Sequence, residues 1–278
     1  MRGRHVASGV LALLACLAVL AVVPVVWLNA QLHGTAYADT VGPLAKDPSV
    51  QRAMADRVAE TVAGGGEGLS PIVVDVVRQE IPAVMRTPGA SRIWLAASLA
   101  ARESLLTGNG GEVSVDIREL VRPLADRLGP AGSVLPSELP DEMTSIVLVD
   151  VPALAQVRTI ARMAPTLAYV IPVLAAGLLT LALLTSLNRW RTLTVVGIVV
   201  AAGTLAEMLL IGPIQDSALA GVDDGISRAV LAAIAEAFAD SLRSALIIPL
   251  VVAGVVAVVS LMSARLTSRR VDEVDRIR

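Results

Sequence analysis

The sequence from Thr166 to Leu187, TLAYVIPVLAAGLLTLALLTSL, is a run of 22 residues without a charged side chain. A transmembrane helix needs about 20 predominantly apolar residues to cross the hydrocarbon core of a bilayer. The run therefore predicts a membrane-spanning helix. Where it begins and ends determines how we interpret the rest of the chain.

The residues that flank this span predict its orientation. Asn188-Arg189-Trp190-Arg191 follows the span directly, and arginine together with tryptophan is typical of a cytoplasmic boundary. The segment before the span is polar and carries more acidic than basic side chains. We therefore expect the chain between the first span and this one to lie outside the cell.

The composition is typical of a membrane protein that carries one polar domain. Apolar residues make up 55% of the chain and charged residues 17%, which is low for a soluble domain. The single cysteine, Cys16, lies in an apolar run, so the polar domain must fold without a disulfide. The segments expected in the cytoplasm carry these basic residues, as the positive-inside rule requires: Arg2, Arg4, Arg189, Arg191, Arg265, Arg269 and Arg270.

Residues 1–29 predict a signal-anchor span. A short basic head precedes an apolar run from Val6 to Leu28, which exceeds the roughly 7 to 15 apolar residues of a cleaved signal peptide. Two alternatives remain. Ala36-Tyr37-Ala38 has the pattern of a cleavage site, although it lies well beyond the run, and Leu13 to Cys16 resembles a lipobox, although the apolar run continues past the cysteine.

Residues 30–163 predict an extracytoplasmic, mainly helical domain. Three dipeptides combine a helix-capping residue with a proline suited to the first helical turn: Asp47-Pro48, Ser70-Pro71 and Thr87-Pro88. Glycines end the runs at Gly64 to Gly66 and at Gly108, and Pro82 predicts a kink or a division in the second helix. The pattern favours a small helical bundle.

Two short β-rich segments interrupt this helical pattern. Glu112 to Asp116 alternates in the manner of a strand, and Ser145 to Val149 is the second such run. An isolated strand would leave backbone groups unsatisfied, so a short two-stranded ribbon is expected. Asp116 to Glu119 then resembles a capping box that opens another helix, and Asp150 with Pro152 starts a helix that continues into the span.

Two further spans complete a membrane domain at residues 164–264. Leu193 to Ile214 crosses outward, with an expected break at Gly212-Pro213, and Ala245 to Ala264 crosses inward. Residues 215–244 combine a turn with an apolar stripe of helical spacing. They predict an external helical hairpin that contacts the polar domain.

Together these segments predict a mainly α membrane protein with four transmembrane helices and an external, mostly helical domain that includes a short two-stranded ribbon. We expect the protein in the plasma membrane, with both termini in the cytoplasm. Residues 265–278 form a basic cytoplasmic tail that is too short to fold alone.

Glu207 is an acidic side chain well inside a predicted span. A charged side chain near the middle of a span costs about 2.5 to 3.5 kcal/mol on insertion scales, so it is paired, protonated or turned toward protein or water. One interpretation makes Glu207 a proton or cation relay. The other makes it structural, bonded to a nearby hydroxyl such as that of Tyr169 or Thr204.

The remaining charged residues predict surfaces rather than chemistry. Four arginines of the polar domain form either a partner-binding surface or a solvated helix face: Arg52, Arg57, Arg78 and Arg102. Asp223-Asp224, with Asp216 nearby, matches no calcium-loop spacing, and turn chemistry explains it better than a metal site does. No phosphate loop, nucleophile elbow or zinc spacing occurs, so we expect no metal, cofactor or nucleic-acid partner.

The segment YADTVGPLAKDPSVQ, Tyr37 to Gln51, resembles a family of integral membrane proteins from actinobacteria. Further matches follow in the same order before three C-terminal spans: Ser91 to Trp94, Leu105 to Gly108 and Val113 to Ile117. The resemblance implies four spans with an external helical domain after the first, and it implies no particular activity. Such proteins often carry Asn and His shortly after the tryptophan, where this chain has Ser98 and Arg102, so a shared polar site is not expected there.

The sequence therefore favours a non-enzymatic multi-pass protein that acts as a scaffold or partner-binding protein through its extracytoplasmic domain. Its expected partners are the lipid bilayer and either an envelope protein or a second copy of the chain. The alternative is an accessory subunit of a transporter or channel that uses Glu207. A sensor is less favoured, because the predicted inner segments are too short for an output domain.

Overall fold

The fold is mainly helical. The structure, a computed structural model, describes residues 2–65, 71–107, 112–116, 145–150, 154–186, 189–220 and 225–277. The elements in chain order are α1 (Arg2–His33), α2 (Ala36–Val41), a 3-10 helix (Gly42–Lys46), α3 (Pro48–Gly65), α4 (Pro71–Met85), α5 (Pro88–Thr107), β1 (Glu112–Asp116), β2 (Ser145–Asp150), α6 (Leu154–Thr185), α7 (Arg189–Leu219) and α8 (Gly225–Ile277).

In the described part of the chain, four helices are long and apolar enough to cross a membrane, which is the number that the sequence predicts. The qualifying segments are Gly9–His33 in α1, Thr159–Thr185 in α6, Arg189–Ser217 in α7 and Arg228–Ser263 in α8. The last segment is longer than the roughly 20 residues that a bilayer requires, so a part of it is sufficient to span. These four helices indicate a multi-pass membrane protein.

The long helices continue through positions where the sequence predicts interruptions. Pro213 lies inside α7, so the predicted break at Gly212-Pro213 is wrong, and Pro82 lies inside α4 without dividing it. A proline removes one backbone donor, but neighbouring helices or hydroxyl side chains can satisfy the freed carbonyl and preserve the helix. The cytoplasmic tail predicted at residues 265–278 is not separate from the last span, because α8 extends to Ile277.

The chain divides into two compact units. The apolar unit consists of Met1–His33, Met163–Ile214 and Asp240–Arg278, and the polar unit consists of Gly34–Arg162 and Gln215–Ala239. Helices α6, α7 and α8 therefore each contribute residues to both units. The predicted domain at 30–163 nearly coincides with the first segment of the polar unit, whereas the hairpin predicted at 215–244 extends a few residues beyond the second.

The polar unit has a hydrophobic core of its own. Val50 of α3 and Met85 of α4 are almost fully buried in it, and Val230 of α8 belongs to the same core. Ile234 and Phe238 of α8 pack against that core, which is where the predicted apolar stripe of the hairpin places them. The hairpin and the segment at 34–162 thus bury apolar surface together.

Two buried side chains hold the chain that links α1 to α3. The indole Nε1 of Trp94 donates to the Val41 carbonyl at 2.9 Å, and the amide Nε2 of Gln51 donates to the Ala45 carbonyl at 3.1 Å. A buried carbonyl without a donor would destabilise the fold, so these bonds make the irregular turn after α2 compatible with burial.

The two strands pair antiparallel. Ser114 lies opposite Val147 and Asp116 lies opposite Ser145, and the register shifts between Glu112 and Ser114. The helix predicted from the capping box at Asp116 falls within 117–144, outside the described residues.

The first and third predicted helix starts are confirmed by their caps. The Asp47 carboxylate accepts hydrogen bonds at Oδ1 from the Ser49 hydroxyl, from the Ser49 amide at 2.7 Å and from the Val50 amide at 3.3 Å. These bonds to the charged form, led by that of the Ser49 hydroxyl, lower the pKa of Asp47. Thr87 does the same for α5, since its hydroxyl oxygen accepts from the Ala90 amide at 3.3 Å.

Replacing Asp47 with alanine should destabilise the polar unit by about 1 kcal/mol at neutral pH, because the first turn of α3 loses its acceptor. Thermal unfolding of the detergent-solubilised protein, followed by circular dichroism, should show a melting temperature lower by about 2 to 4 °C. The pKa of Asp47 is lower when folded than when unfolded, so its contribution is present above the unfolded pKa. That contribution is lost as the pH falls through the folded pKa.

The difference between the wild type and Asp47→Ala should therefore disappear in acid. Asp47→Asn is the matched control, because asparagine is a good cap that does not titrate. A difference between Asp47→Ala and the wild type that is the same at every pH would contradict the assignment.

Candidate functional site

Helix α7 has a buried face and an exposed face, and Glu207 lies on the buried one. Val200, Thr204 and Ile211 are buried, and Glu207 fits their spacing of three and four residues. The other side of the same turns carries large exposed apolar side chains: Leu205, Leu209 and Leu210, at 51%, 71% and 55% exposed. A membrane helix turns such side chains toward lipid, so Glu207 is directed toward protein.

The Glu207 carboxyl is partly buried, and its Oε2 atom is fully buried without a hydrogen-bond partner in the part of the chain that the structure describes. The bond to Tyr169 or Thr204 that the sequence offered as an explanation is not made by this oxygen. The Tyr169 side chain is 75% exposed, whereas Thr204 is 2% exposed. The Oδ1 atom of Asn29 in α1 is also buried without a described partner.

Glycines allow two other helices of the apolar unit to approach α7 closely. A Cβ atom at Gly203 would lie 2.5 Å from Leu20 Cδ1 of α1, and one at Gly197 would lie 3.0 Å from the Ala253 carbonyl oxygen of α8. Beside them is a buried apolar cluster: Cys16, Val196, Val200 and Ala253. Small residues at such positions are typical of tightly packed membrane helices.

A polar contact joins α1 to α8 within the same unit. Trp27 Nε1 and Gln31 Nε2 both donate to the Ser241 hydroxyl oxygen, at 3.1 and 3.0 Å. Gln31 is 1% exposed. This contact is not predicted from the sequence, although a glutamine within the last turns of an apolar helix is a signal for it.

Few charged side chains of the described apolar unit are available to pair with Glu207. Asp240 and Arg243 of α8 bond each other at 2.8 Å, and their side chains are 65% and 43% exposed. Among the described residues, no group of three or more His, Cys, Asp or Glu side chains could hold a metal ion. Asp216 is exposed, and Asp223 and Asp224 lie outside the described residues.

Two of the four arginines predicted as a partner surface are exposed. Arg52 donates from Nε to the Pro48 carbonyl of its own helix at 3.0 Å. Arg78 pairs with Asp56 at 2.8 Å and with Asp75 at 3.3 Å, and all three side chains are about half exposed. Exposed pairs of this kind contribute little to stability, so these arginines remain open to a partner.

The other two arginines are not shown as exposed. Arg102 donates from a guanidinium nitrogen to the Gly34 carbonyl at 3.0 Å and lies 5.3 Å from the centre of the Tyr37 ring. Burial raises the pKa of Tyr37, against the smaller opposing effect of Arg102. Arg102 is therefore a partly buried residue that packs on Tyr37, and the side chain of Arg57 lies outside the described part.

Comparisons of the chain with protein-family models, with curated proteins and with solved structures found no match. The resemblance to actinobacterial membrane proteins stays a prediction. The residues that carry it have structural roles in the polar unit: Asp47 caps α3, and Gln51 and Trp94 bond backbone carbonyls.

Replacing Gly197 with alanine should destabilise the apolar unit more than replacing Gly203, although the added methyl group at Gly203 would come closer to its neighbour. The neighbour of Gly203 is the end of the Leu20 side chain, which can rotate. The neighbours of Gly197 are backbone atoms of α8, so the whole helix must shift. Overpacking of this kind costs about 1 to 3 kcal/mol.

Thermal unfolding in detergent measures which of the two variants is less stable. Gly177→Ala is the matched control, because a Cβ atom there meets nothing within 4 Å. It should leave the melting temperature unchanged or slightly higher, since alanine favours helix more than glycine does. A Gly203 variant that is less stable than the Gly197 variant would contradict the packing described for these helices.

Proposed function

We propose that the chain is a non-enzymatic multi-pass protein of the plasma membrane whose polar unit lies outside the cell and binds a protein partner. One observation carries the proposal. The segments 34–162 and 215–239, each flanked by candidate spans, share one hydrophobic core. Two segments that bury apolar surface together lie on the same side of a bilayer, which supports a four-span topology with both termini on the opposite side.

The distribution of basic residues supports the orientation. Arg189 and Arg191 stand at the short connection between α6 and α7, and Arg265, Arg269 and Arg270 follow the last candidate span. Short connections rich in arginine remain in the cytoplasm. The polar unit is consequently extracytoplasmic in this proposal.

The proposed activity of the polar unit is recognition by its surface. Arg52 and Arg78 are exposed on helices whose other sides pack into the core, so the scaffold presents them without having to reorganise. Exposed charges of this kind steer association and select partners more than they add affinity. The partner is an envelope protein with an acidic surface or a second copy of the chain.

A second candidate function is that of an accessory subunit of a transporter or channel. The observation that favours it is the buried, unbonded Oε2 atom of Glu207 on the protein-facing side of α7. Ionisable residues in such positions often serve ion or proton movement.

Cysteine scanning tests the topology in a Cys16→Ala background. Ala100→Cys and Asp216→Cys, which replace exposed residues in the two segments of the polar unit, should react with a membrane-impermeant maleimide on intact cells. Arg189→Cys should not react on intact cells and should react once the cells are lysed. The reverse pattern means that the orientation is inverted, and different sidedness at 100 and 216 would refute the shared-core argument.

Crosslinking in native membranes, followed by affinity capture of the full chain and mass spectrometry, tests the partner. Arg52→Glu should reduce recovery of the partner by about tenfold, equivalent to roughly 1.4 kcal/mol. Arg92→Glu is the matched control, since Arg92 is also exposed and bonds the carbonyl of the proline that starts its own helix.

Glu207→Ala separates the two candidate functions in the same assay. Partner recovery should be unchanged by this variant if the polar unit carries the function. Loss of a transport activity with intact partner recovery would favour the second candidate. Recovery of the bait alone, as a monomer, would count against partner binding altogether.

A further inference from the structure

Glu207 lies where an ionised carboxylate would be poorly accommodated. It follows Gly203 by one helical turn, about 6 Å along the axis of α7, and Gly203 is the point at which Leu20 of α1 packs closely. The buried Oε2 atom has no donor among the described residues. A carboxylate oxygen without a donor is expensive to bury, whereas a neutral acid is not.

The described charged groups on the helices packed against α7 do not neutralise the charge that an ionised Glu207 would carry. The α1 span, Gly9–His33, contains no Asp, Glu, Lys or Arg, and His33 is at its end. In α6 the described charge is Arg162, which is exposed and near the start of the span. On α8, Arg228, Glu236 and the pair formed by Asp240 and Arg243 precede the apolar part of the helix.

The depth of Arg243 follows from the register of the two helices. Gly197 of α7 lies against Ala253 and Ala257 of α8, and Gln215 of α7 donates to the Ala235 carbonyl of α8 at 2.7 Å, so the two helices run in opposite directions. Ten residues beyond Gly197, Glu207 therefore lies at the depth of α8 near Ala245. Arg243 is close to that depth, but it is bonded to Asp240 at 2.8 Å.

Two backbone carbonyls, one near this depth and one about a helical turn before it, lack the donor that a regular helix supplies four residues later. Pro249 lies inside α8 and cannot donate to the carbonyl of Ala245, four residues earlier. Pro24 lies inside α1 and cannot donate to the carbonyl of Leu20. Leu20 packs on Gly203, and Cys16 belongs to the cluster with Val196 and Val200, so this part of α1 lies beside α7 just before Glu207.

The chemistry of these acceptors distinguishes the two forms of the carboxyl group. A carboxylate has acceptors alone, whereas a carboxylic acid has one O–H donor. Freed carbonyls need donors, so the surroundings favour the acid. A metal cation is disfavoured, because it needs several oxygen ligands and no group of three or more His, Cys, Asp or Glu side chains among the described residues could hold one.

We propose that Glu207 is an intramembrane proton-binding site, held as the neutral acid at physiological pH and able to ionise reversibly. When Glu207 ionises, the nearest cation by register is Arg243, which would break its ion pair with Asp240 and pair with Glu207. The inference rests on the second candidate function and specifies the proton as its ligand. It is independent of partner binding by the polar unit.

A lipophilic carbodiimide, dicyclohexylcarbodiimide, tests the protonated state in the full chain reconstituted in phospholipid vesicles. The acid adds across one C=N bond of the reagent, its oxygen to the central carbon and its proton to nitrogen, and the adduct rearranges to a stable acylurea. Peptide mass spectrometry should locate the adduct on Glu207 at neutral pH. Its yield should fall about tenfold for each pH unit above the midpoint of a single-proton titration.

Two variants complete the test. Glu207→Gln has nearly the same shape and mimics the neutral acid, so it should lose the adduct while keeping the melting temperature of the wild type. Glu236→Gln, which replaces an exposed acid on α8, should keep the adduct on Glu207 and the melting temperature of the wild type.

Three results would overturn the proposal: an adduct yield that does not depend on pH, no adduct on Glu207 at neutral pH, or a marked loss of stability in Glu207→Gln. The last is the result expected if an ionised Glu207 were paired with Arg243. None of these results changes the recovery of a partner by the polar unit, so the two proposals fail separately.

Discussion

The hydrocarbon of a bilayer offers no hydrogen bonds, and this constraint determines which parts of the chain can be where. Each of the four apolar helices satisfies its own backbone and is long enough to span. Hydrogen-bonding groups that remain without a partner in these helices must be on side chains or be carbonyls freed by a proline. The informative features of the apolar unit are therefore its few polar atoms, and each one has to be explained by a contact.

Most of these polar atoms have a structural explanation, and Glu207 does not. The Ser241 hydroxyl accepts from both Trp27 and Gln31 and so joins α1 to α8. Threonines such as Thr180 and Thr194 donate to carbonyls of their own helices. The first of these contacts stabilises helix association, and the threonine bonds satisfy the hydroxyl groups within a helix. The buried Oε2 atom of Glu207 makes no contact of this kind in the described chain, and neither does Oδ1 of Asn29. Of these two residues only Glu207 is ionisable, which is why it calls for a functional explanation.

The sequence predicted local contacts more completely than distant ones. The caps at Asp47 and Thr87 act within three residues, so the sequence contains the whole interaction. The bond from Trp94 to the Val41 carbonyl joins residues 53 apart and follows from the packing of α5 on the turn after α2. The helix continuing through Pro213 was mispredicted for a related reason, since neighbouring packing decides whether a helix survives a proline.

Glu207 shows where the boundary between prediction and structure falls for the candidate site. Its position in a span was evident from the sequence, and so was the cost of burying its charge. Which side of α7 it occupies required the burial of Val200, Thr204 and Ile211. Its depth relative to Pro24 and Pro249 required the close contacts of Gly203 with the Leu20 side chain and of Gly197 with the backbone of α8. The same small residues that pack the bundle therefore set the depth of the carboxyl group relative to the two prolines, so that the packing of the helices and the surroundings of Glu207 have one structural cause.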